Sequence, residues 1–82
     1  MELTIKVSIQ KDMMTRQAAD IAHKMSEFES RVLIKKQNLT VNAKSLMGVL
    51  SADLRDGQAV TLLAEGPDEA QAVCTLSRLL GA

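Results

Sequence analysis

The start of the chain alternates between apolar and polar residues. Leu3, Ile5, Val7 and Ile9 are apolar, and the residues between them are polar. Because successive side chains of a strand point to opposite faces, this period of two predicts a strand with one buried face. The run from Ala59 to Ala64 predicts another strand, with Val60 and Leu62 inward.

Between residues 14 and 29 the pattern changes to the spacing of an amphipathic helix, with Met14 or Thr15 near its cap. The apolar positions that share one stripe are Ala18, Ile21, Ala22, Met25 and Phe28. Positions three or four residues apart lie on the same face of a helix, so this stripe is expected to be buried.

The rest of the chain divides into four shorter elements. Residues 31–36 and 39–42 predict strands around Gln37-Asn38, where asparagine suits the left-handed geometry of a tight turn. Residues 45–54 predict a short helix, and residues 66–69 open a last helix with a proline and two acids in its first turn. The predicted fold is α+β, with a four-stranded antiparallel sheet covered on one face by three helices.

Composition narrows the classes of partner. The 82 residues carry ten basic and ten acidic side chains, so the formal net charge is zero. A protein that binds the phosphate backbone usually has a basic surface, and Phe28 is the only aromatic residue available for base stacking. We expect no direct binding to nucleic acid. The pattern contains no linker, so residues 1–82 are expected to form one domain.

The location is predicted from what the sequence lacks. Cys74 is the only cysteine, which fits a reducing compartment. No apolar run approaches the roughly 20 residues that cross a bilayer. The start of the chain also lacks the basic and then apolar regions of a secretory signal. We expect a cytoplasmic protein without membrane contact.

The sequence offers little material for catalysis or metal binding. His23 is the only histidine and lies nearly opposite the apolar stripe, so a solvated surface side chain is expected. Cys74 lies near Ala70 and Ser77 on the last helix, and a buried, unreactive thiol is expected there. No catalytic constellation or ligand spacing is present. The protein is therefore expected to be no enzyme and to need no metal or cofactor.

Two segments resemble the HPr family of phosphocarriers of the sugar phosphotransferase system. One is V-N-A-K-S-L-M-G at residues 41–48, and the other is D-M-M-T-R-Q-A-A at residues 12–19. Together the two segments are more similar to the histidine-less, Crh-like members of the family. The resemblance implies the βαββαβα order of an HPr-like open-faced β-sandwich, which agrees with the elements predicted above.

The family's carrier loop reads G-L-H-A-R-P-A, and it corresponds to residues 12–18. Met14 then stands at the position of the phosphorylated histidine, and Gln17 replaces the proline. Transfer through this site needs a ring nitrogen that forms a labile phosphoramidate, which a thioether does not supply. We therefore expect no phosphocarrier activity at Met14.

Ser45 is the strongest functional candidate. From the residues alone it is expected to be a helix N-cap, whose hydroxyl accepts a backbone hydrogen bond. The resemblance implies a second role, phosphorylation by HPr kinase/phosphorylase followed by binding to a CcpA-like transcriptional regulator in carbon catabolite repression. A phosphate would add about −1.5 to −2 charges beside an apolar patch.

The resemblance also implies a docking surface for partners. Its candidate residues are Met13, Met14, Arg16, Leu46, Met47 and Leu50. Met13 and Met14 are alternatively core residues below the first helix, and Arg16 is alternatively a solvated charge. A different class of function also remains open: a constitutive interaction module, or a homodimer, in which Ser45 is only a cap.

Overall fold

The computed structural model describes residues 1–9 and 15–81, which form four strands and three helices. The elements are β1 (Glu2–Lys6), α1 (Thr15–Met25), β2 (Arg31–Lys36), β3 (Leu39–Asn42), α2 (Leu46–Ala52), β4 (Ala59–Glu65) and α3 (Glu69–Leu79). The order is the one predicted from the sequence.

The four strands form one antiparallel sheet in the order β1-β4-β2-β3. Ile34 and Leu62 are paired across β2 and β4, and both are fully buried under the helices. Leu33 and Leu63, their neighbours in the chain, are also paired but are only half-buried on the opposite face. The three helices therefore cover one face of the sheet, which confirms the predicted fold class.

The core lies between that face and the helices. Its largest fully buried side chains are Met25, Ile34, Leu54, Leu62, Leu76 and Leu80. α1 contributes Ala18, Ile21 and Met25, which confirms the predicted stripe. Phe28 is half-buried and packs against this core from beyond the end of α1.

β1 is shorter than the alternating pattern predicted. After Lys6 the chain leaves the sheet: the amide of Val7 still donates to the carbonyl oxygen of Gln58 at 2.8 Å, but the amide of Ser8 donates to that of Leu80 at 2.9 Å. Leu3 is 40% exposed because β1 is an edge strand. Only Val7 of the four alternating apolar residues is fully buried.

α1 ends at Met25, four residues before the predicted end. The amides of Glu27 and Phe28 bond to carbonyls three residues back, Lys24 at 3.2 Å and Met25 at 3.1 Å, which tightens the last turn. Contacts made by side chains determine where the chain turns after α1, and hydrophobic periodicity does not report such contacts. Met14, which the predicted helix included, lies outside the described residues.

Asp68, which lies just before α3, holds the turn that follows α1. Its carboxylate accepts hydrogen bonds from the amides of Glu29 and Ser30, both at 2.9 Å, and from the buried Ser30 hydroxyl. These bonds, the Ser30 hydroxyl foremost, hold the pKa of the Asp68 carboxyl below its usual range. Glycine at position 66 allows the chain to pass close to Ser30. A Cβ atom at this position would lie 2.6 Å from the Ser30 Cα atom.

The hairpin between β2 and β3 differs from expectation in one detail. The positive φ angle, 54°, falls on Gln37 rather than on Asn38. Lys36 and Leu39 remain paired across the two-residue turn, as predicted. The two-residue turns that match the twist of a sheet, types I′ and II′, both need a positive φ angle at their first position. The geometry of the turn therefore outweighs the preference of asparagine for a positive φ angle.

Candidate functional site

The turn after β3 brings the chain to Ser45. The side-chain oxygen of Asn42 accepts a hydrogen bond from the Lys44 amide at 2.9 Å, and its carbonyl oxygen accepts one from the Ser45 amide at 3.1 Å. Asparagine commonly stabilises such turns by bonding to the backbone two residues on. Ser45 is therefore fixed at the point where α2 begins.

Ser45 is the N-cap of α2, as the sequence predicts. Its backbone is extended, with φ −105° and ψ 123°, and its Oγ atom accepts a hydrogen bond from the Gly48 amide at 3.1 Å. Its carbonyl oxygen accepts the first helical bond, from Val49 at 2.9 Å. The hydroxyl oxygen thus satisfies one of the free amides of the first turn, while the side chain stays half-exposed.

Gly48 allows α2 to lie directly on the preceding turn. A Cβ atom at this position would be 2.9 Å from the carbonyl oxygen of Asn42 and 3.3 Å from the Ser45 Cβ atom. Glycine in a helix costs roughly 1 kcal/mol relative to alanine. Here it permits the close approach that places the Ser45 hydroxyl on the helix end.

Two lysines attach α2 to the rest of the fold. The Lys44 Nζ atom donates to the carbonyl oxygen of Phe28 at 2.7 Å, and the Lys36 Nζ atom donates to those of Ala52 and Asp53, both at 2.9 Å. A cation near a helix C-terminus also complements the negative end of the helix dipole. Sequence reasoning missed both contacts, because nothing in the local pattern distinguishes these lysines from solvated ones.

The side chains beside Ser45 are apolar and exposed. Met47 is 69% exposed and Leu46 37%, both in the first turn of α2. Leu50 is half-buried and packs against the core, so little of it is available to a partner. Arg16 is exposed in the first turn of α1, and α1 packs against α2.

The remaining docking candidates, Met13 and Met14, lie outside the described residues. The structure therefore brings together Ser45, Leu46 and Met47 on one helix end, with Arg16 on the neighbouring helix. The alternatives for the two methionines, exposed or buried, both stay open as predictions.

His23 is exposed, as predicted, but the prediction for Cys74 is wrong. Cys74 is exposed, because the inner face of α3 is set by Ala72, Val73 and Leu76. Ala70, which was expected beside it in the interior, is exposed as well.

Among residues 1–9 and 15–81, no three histidine, cysteine or acidic side chains come close enough to hold a metal ion. Over the same part of the chain, no helix has the length and apolar character needed to cross a membrane.

Comparison with known proteins accounts for this arrangement. The family model for the PTS HPr component phosphorylation site matches residues 1–82. The chain belongs to the HPr family. The resemblance inferred from residues 12–19 and 41–48 is thereby confirmed at the level of the family.

Relatives in sequence include both phosphocarriers and Crh proteins. The phosphocarrier protein HPr of Treponema pallidum is 36% identical over 76 residues, which are 93% of this chain and 86% of the relative. The HPr-like protein Crh of Halalkalibacterium halodurans is 35% identical over 72 residues, 88% of this chain and 86% of the relative. The chain is thus similar to carriers and to Crh proteins to nearly the same degree.

Solved structures of the HPr family have the same fold. The phosphocarrier protein HPr of Bacillus anthracis matches with a TM-score of 0.91 at 30% identity, over 98% of this chain and 95% of the other. Crh of Bacillus subtilis matches with a TM-score of 0.79 at 34% identity, over 93% and 87%, and its crystal structure is described as a dimer with a swapped domain.

Proposed function

We propose that this HPr-family protein is a regulator of the sugar phosphotransferase system and of carbon catabolite control. It consists of one domain, residues 1–82, acts in the cytoplasm and catalyses no reaction of its own. Its switch is Ser45, phosphorylated by HPr kinase/phosphorylase, and its target is a CcpA-like transcriptional regulator. The observation that carries the proposal is the half-exposed Ser45 at the start of α2, beside an exposed Met47.

The residue at the carrier position supports a regulator over a carrier. Aligned with the family's loop, Met14 replaces the histidine that receives phosphate from Enzyme I. Thr15, the next residue, would form a phosphate ester too stable to pass the group on. His23 lies on the exposed face of α1, about two turns from the first residue of the helix. Within the aligned segment, residues 12–18, the sequence contains no histidine to replace the lost nucleophile.

The geometry of Ser45 supports phosphorylation. Its Oγ atom accepts a hydrogen bond from the Gly48 amide, and the residue as a whole is half-exposed. An ester oxygen remains an acceptor, so the cap survives modification. The phosphate would lie near the positive end of α2, where added negative charge is favourable rather than repelled.

The readout of such a switch is local. Unmodified, the end of α2 presents Leu46 and Met47, an apolar surface that suits adaptable packing. Phosphorylated, the same surface carries a dianion, and a partner with paired arginines can distinguish the two states. Arg16 is the charged docking residue of the described part of this surface, and Met13 and Met14 extend it in the proposal.

The test is intact-mass analysis after incubation with ATP and HPr kinase. Ser45→Asn removes the hydroxyl but keeps a good N-cap, so it separates loss of the acceptor from loss of stability. Ser51→Ala, at an exposed serine of α2, is the matched control. A gain of about 80 Da in wild type and Ser51→Ala, but none in Ser45→Asn, supports the switch.

Two other outcomes contradict the proposal. No mass gain in any of the three proteins removes the switch and leaves Ser45 as a cap. An acid-labile phosphate after incubation with Enzyme I and phosphoenolpyruvate would instead make the protein a carrier. Binding of the phosphorylated protein to a CcpA-like regulator is then measured against the unmodified form.

A second function is a constitutive interaction module or homodimer in which Ser45 serves only as the N-cap. Two observations favour it: the cap bond to Gly48 already explains a serine at this position, and Crh of Bacillus subtilis is described as a swapped dimer. In this case partner binding or dimerisation is the same for wild type and Ser45→Asn.

A further inference from the structure

The outer edge of β1 carries backbone groups that point away from the sheet. The carbonyl oxygen of Met1 accepts a hydrogen bond from the Ala64 amide, and the Val7 amide donates toward the same side of the strand, both at 2.8 Å. Because the backbone groups of successive strand residues point to alternate sides, the even-numbered residues of β1 face outward. These residues are Glu2, Thr4 and Lys6. Among the described residues β1 ends the sheet, so this edge is open to a further strand.

The other edge strand, β3, is less suited to accept a strand. The Ala43 amide donates to the carbonyl oxygen of Val32 at 2.9 Å, so Thr40 and Asn42 face outward by the same alternation. The carbonyl oxygen of Asn42 already accepts a hydrogen bond from the Ser45 amide at 3.1 Å. The turn before α2 therefore covers part of the β3 edge, and β1 offers the longer row of outward-facing backbone groups.

The side chains of β1 are arranged symmetrically about Thr4. Glu2 lies two residues before it and Lys6 two residues after it, and both are exposed. In the described part of the chain, the ion pairs are formed by other residues. In an antiparallel strand pair, residues directly opposite each other place their side chains on the same face. A strand with this pattern is complementary in charge to an antiparallel copy of itself.

We propose that β1 pairs in the antiparallel direction with β1 of a second copy of the chain, about a two-fold axis at Thr4. Glu2 of each copy then lies opposite Lys6 of the other, and the two Thr4 residues lie opposite each other. The axis is perpendicular to the sheet, so the helices of both copies lie on the same side. The two sheets become one continuous sheet, and every strand stays in its own chain.

Backbone and side-chain contacts both favour this pairing. The outward-facing residues of the two copies donate to and accept from each other, which gives about six hydrogen bonds. Leu3, which is 40% exposed, comes to lie opposite Ile5 of the second copy. The Thr4 hydroxyl, already hydrogen-bonded to that of Thr61 at 3.0 Å, becomes part of a row of threonines across the axis. A single strand pair buries less than the roughly 800 Å² per partner of a stable complex, so the contact is weak and reversible.

The charges also select the register of the pair. A shift by two residues places Glu2 or Lys6 opposite a threonine, and a shift by four places two lysines or two glutamates opposite each other. Like charges directly opposite each other are destabilising. Charged side chains commonly protect an edge strand against pairing with other chains. Here the same charges favour one register with an identical chain.

The test reverses the two charges separately and then together. Glu2→Lys and Lys6→Glu each place like charges opposite each other in the dimer, so each variant should associate about tenfold more weakly than wild type. The double variant with both substitutions restores the opposite-charge pairs and keeps the net charge of wild type. Its association should return to within about threefold of wild type.

Two proline variants test the backbone contact. Thr4→Pro removes an amide that points away from β4, so it blocks the new strand pair without removing a hydrogen bond to β4. Thr40→Pro makes the same change at an outward-facing position of β3 and is the matched control. Circular dichroism verifies that both variants are folded. Association should be lost in Thr4→Pro and unchanged in Thr40→Pro.

Sedimentation velocity of the full chain, from about 0.05 to about 2 mM, measures association over the range in which a millimolar complex becomes populated. Amide hydrogen exchange on the same samples locates the contact. The amides of Glu2, Thr4 and Lys6 should gain protection as the dimer forms. In a swapped dimer β1 lies on β4 of the other chain, and these amides still face outward without protection.

Three results overturn the proposal: a wild type that stays monomeric at about 2 mM, a double variant that associates no better than the single variants, or a dimer in which these three amides stay unprotected. The contact does not involve Ser45. Its failure would therefore leave the proposed phosphorylation unaffected, because that is measured separately by the gain in mass.

Discussion

The ammonium group of Lys44 is hydrogen-bonded to the carbonyl oxygen of Phe28 at 2.7 Å. This bond ties the residue just before the N-cap of α2 to the segment that follows α1. It also means that the Lys44 charge is engaged by a backbone acceptor. A phosphate on Ser45 would therefore draw its balancing charge mainly from the helix end and from a partner.

Lys44→Met removes this bond while keeping most of the aliphatic stem. We expect the free energy of unfolding to fall by about 1–2 kcal/mol, because a charged donor to a partly buried carbonyl is lost. Lys35→Met, at an exposed position of β2, is the control and should change stability by about 0.5 kcal/mol or less. Urea unfolding measures both, and equal effects would show that the Phe28 bond adds nothing.

Substitutions at Ser45 separate the cap from the modification. Ser45→Ala is expected to lower the free energy of unfolding by about 1 kcal/mol, because the Gly48 amide loses its acceptor. Ser45→Asn should fall within a few tenths of wild type. Chemical denaturation distinguishes the two, and an alanine variant as stable as wild type would rule out a stabilising cap.

Gly48→Ala sets helix propensity against packing. By helix propensity alone, alanine in place of glycine should raise the free energy of unfolding by about 1 kcal/mol. The new Cβ atom would lie 2.9 Å from a backbone oxygen of Asn42, and overpacking of this kind costs about 1–3 kcal/mol. We expect a net loss of stability, measured by urea unfolding. A stabilised variant would mean that the turn shifts at little cost.

Asp68→Asn is expected to remove the contribution that the Asp68 carboxylate makes to the pH dependence of the free energy of unfolding. The bonds from Ser30 and Glu29 lower the pKa of Asp68, so the folded state favours the carboxylate. The resulting stability is present above the pKa of an unfolded aspartate, about 3.9, and is lost as pH falls through the lower folded pKa. The difference in the free energy of unfolding between wild type and variant should be largest at neutral pH and should shrink below about pH 4.

The urea midpoint, followed from neutral to acidic pH, measures this difference. Asp20→Asn, at an exposed position of α1, controls for the loss of one carboxylate. A difference between wild type and Asp68→Asn that stays constant with pH would contradict the role given to the Asp68 carboxylate.

The sequence predicted the order of elements and the cap, because each is encoded locally. The stripe from Ala18 to Met25 and the alternation of β4 are periodic patterns in the sequence. The positions that they predict to be buried are buried in the structure. Ser45 was identified by residue type and position at a helix start.

The features that sequence reasoning missed depend on contacts between distant segments. α1 stops early because Asp68 binds the chain at Glu29 and Ser30, almost forty residues away. The roles of Lys36 and Lys44 likewise depend on carbonyl groups that only the folded chain brings near. Cys74 was misplaced because a single residue does not fix the rotation of a helix.

The strand order has a consequence for how the chain is made. β1 is synthesised before β4, its neighbour in the described sheet, which begins at Ala59. At about 5–20 residues per second, β1 waits several seconds for its partner. During that delay its apolar side chains are uncovered and its edge is free. Because an unpaired strand edge is open to wrong partners, β1 is exposed to mispairing until β4 has emerged from the ribosome.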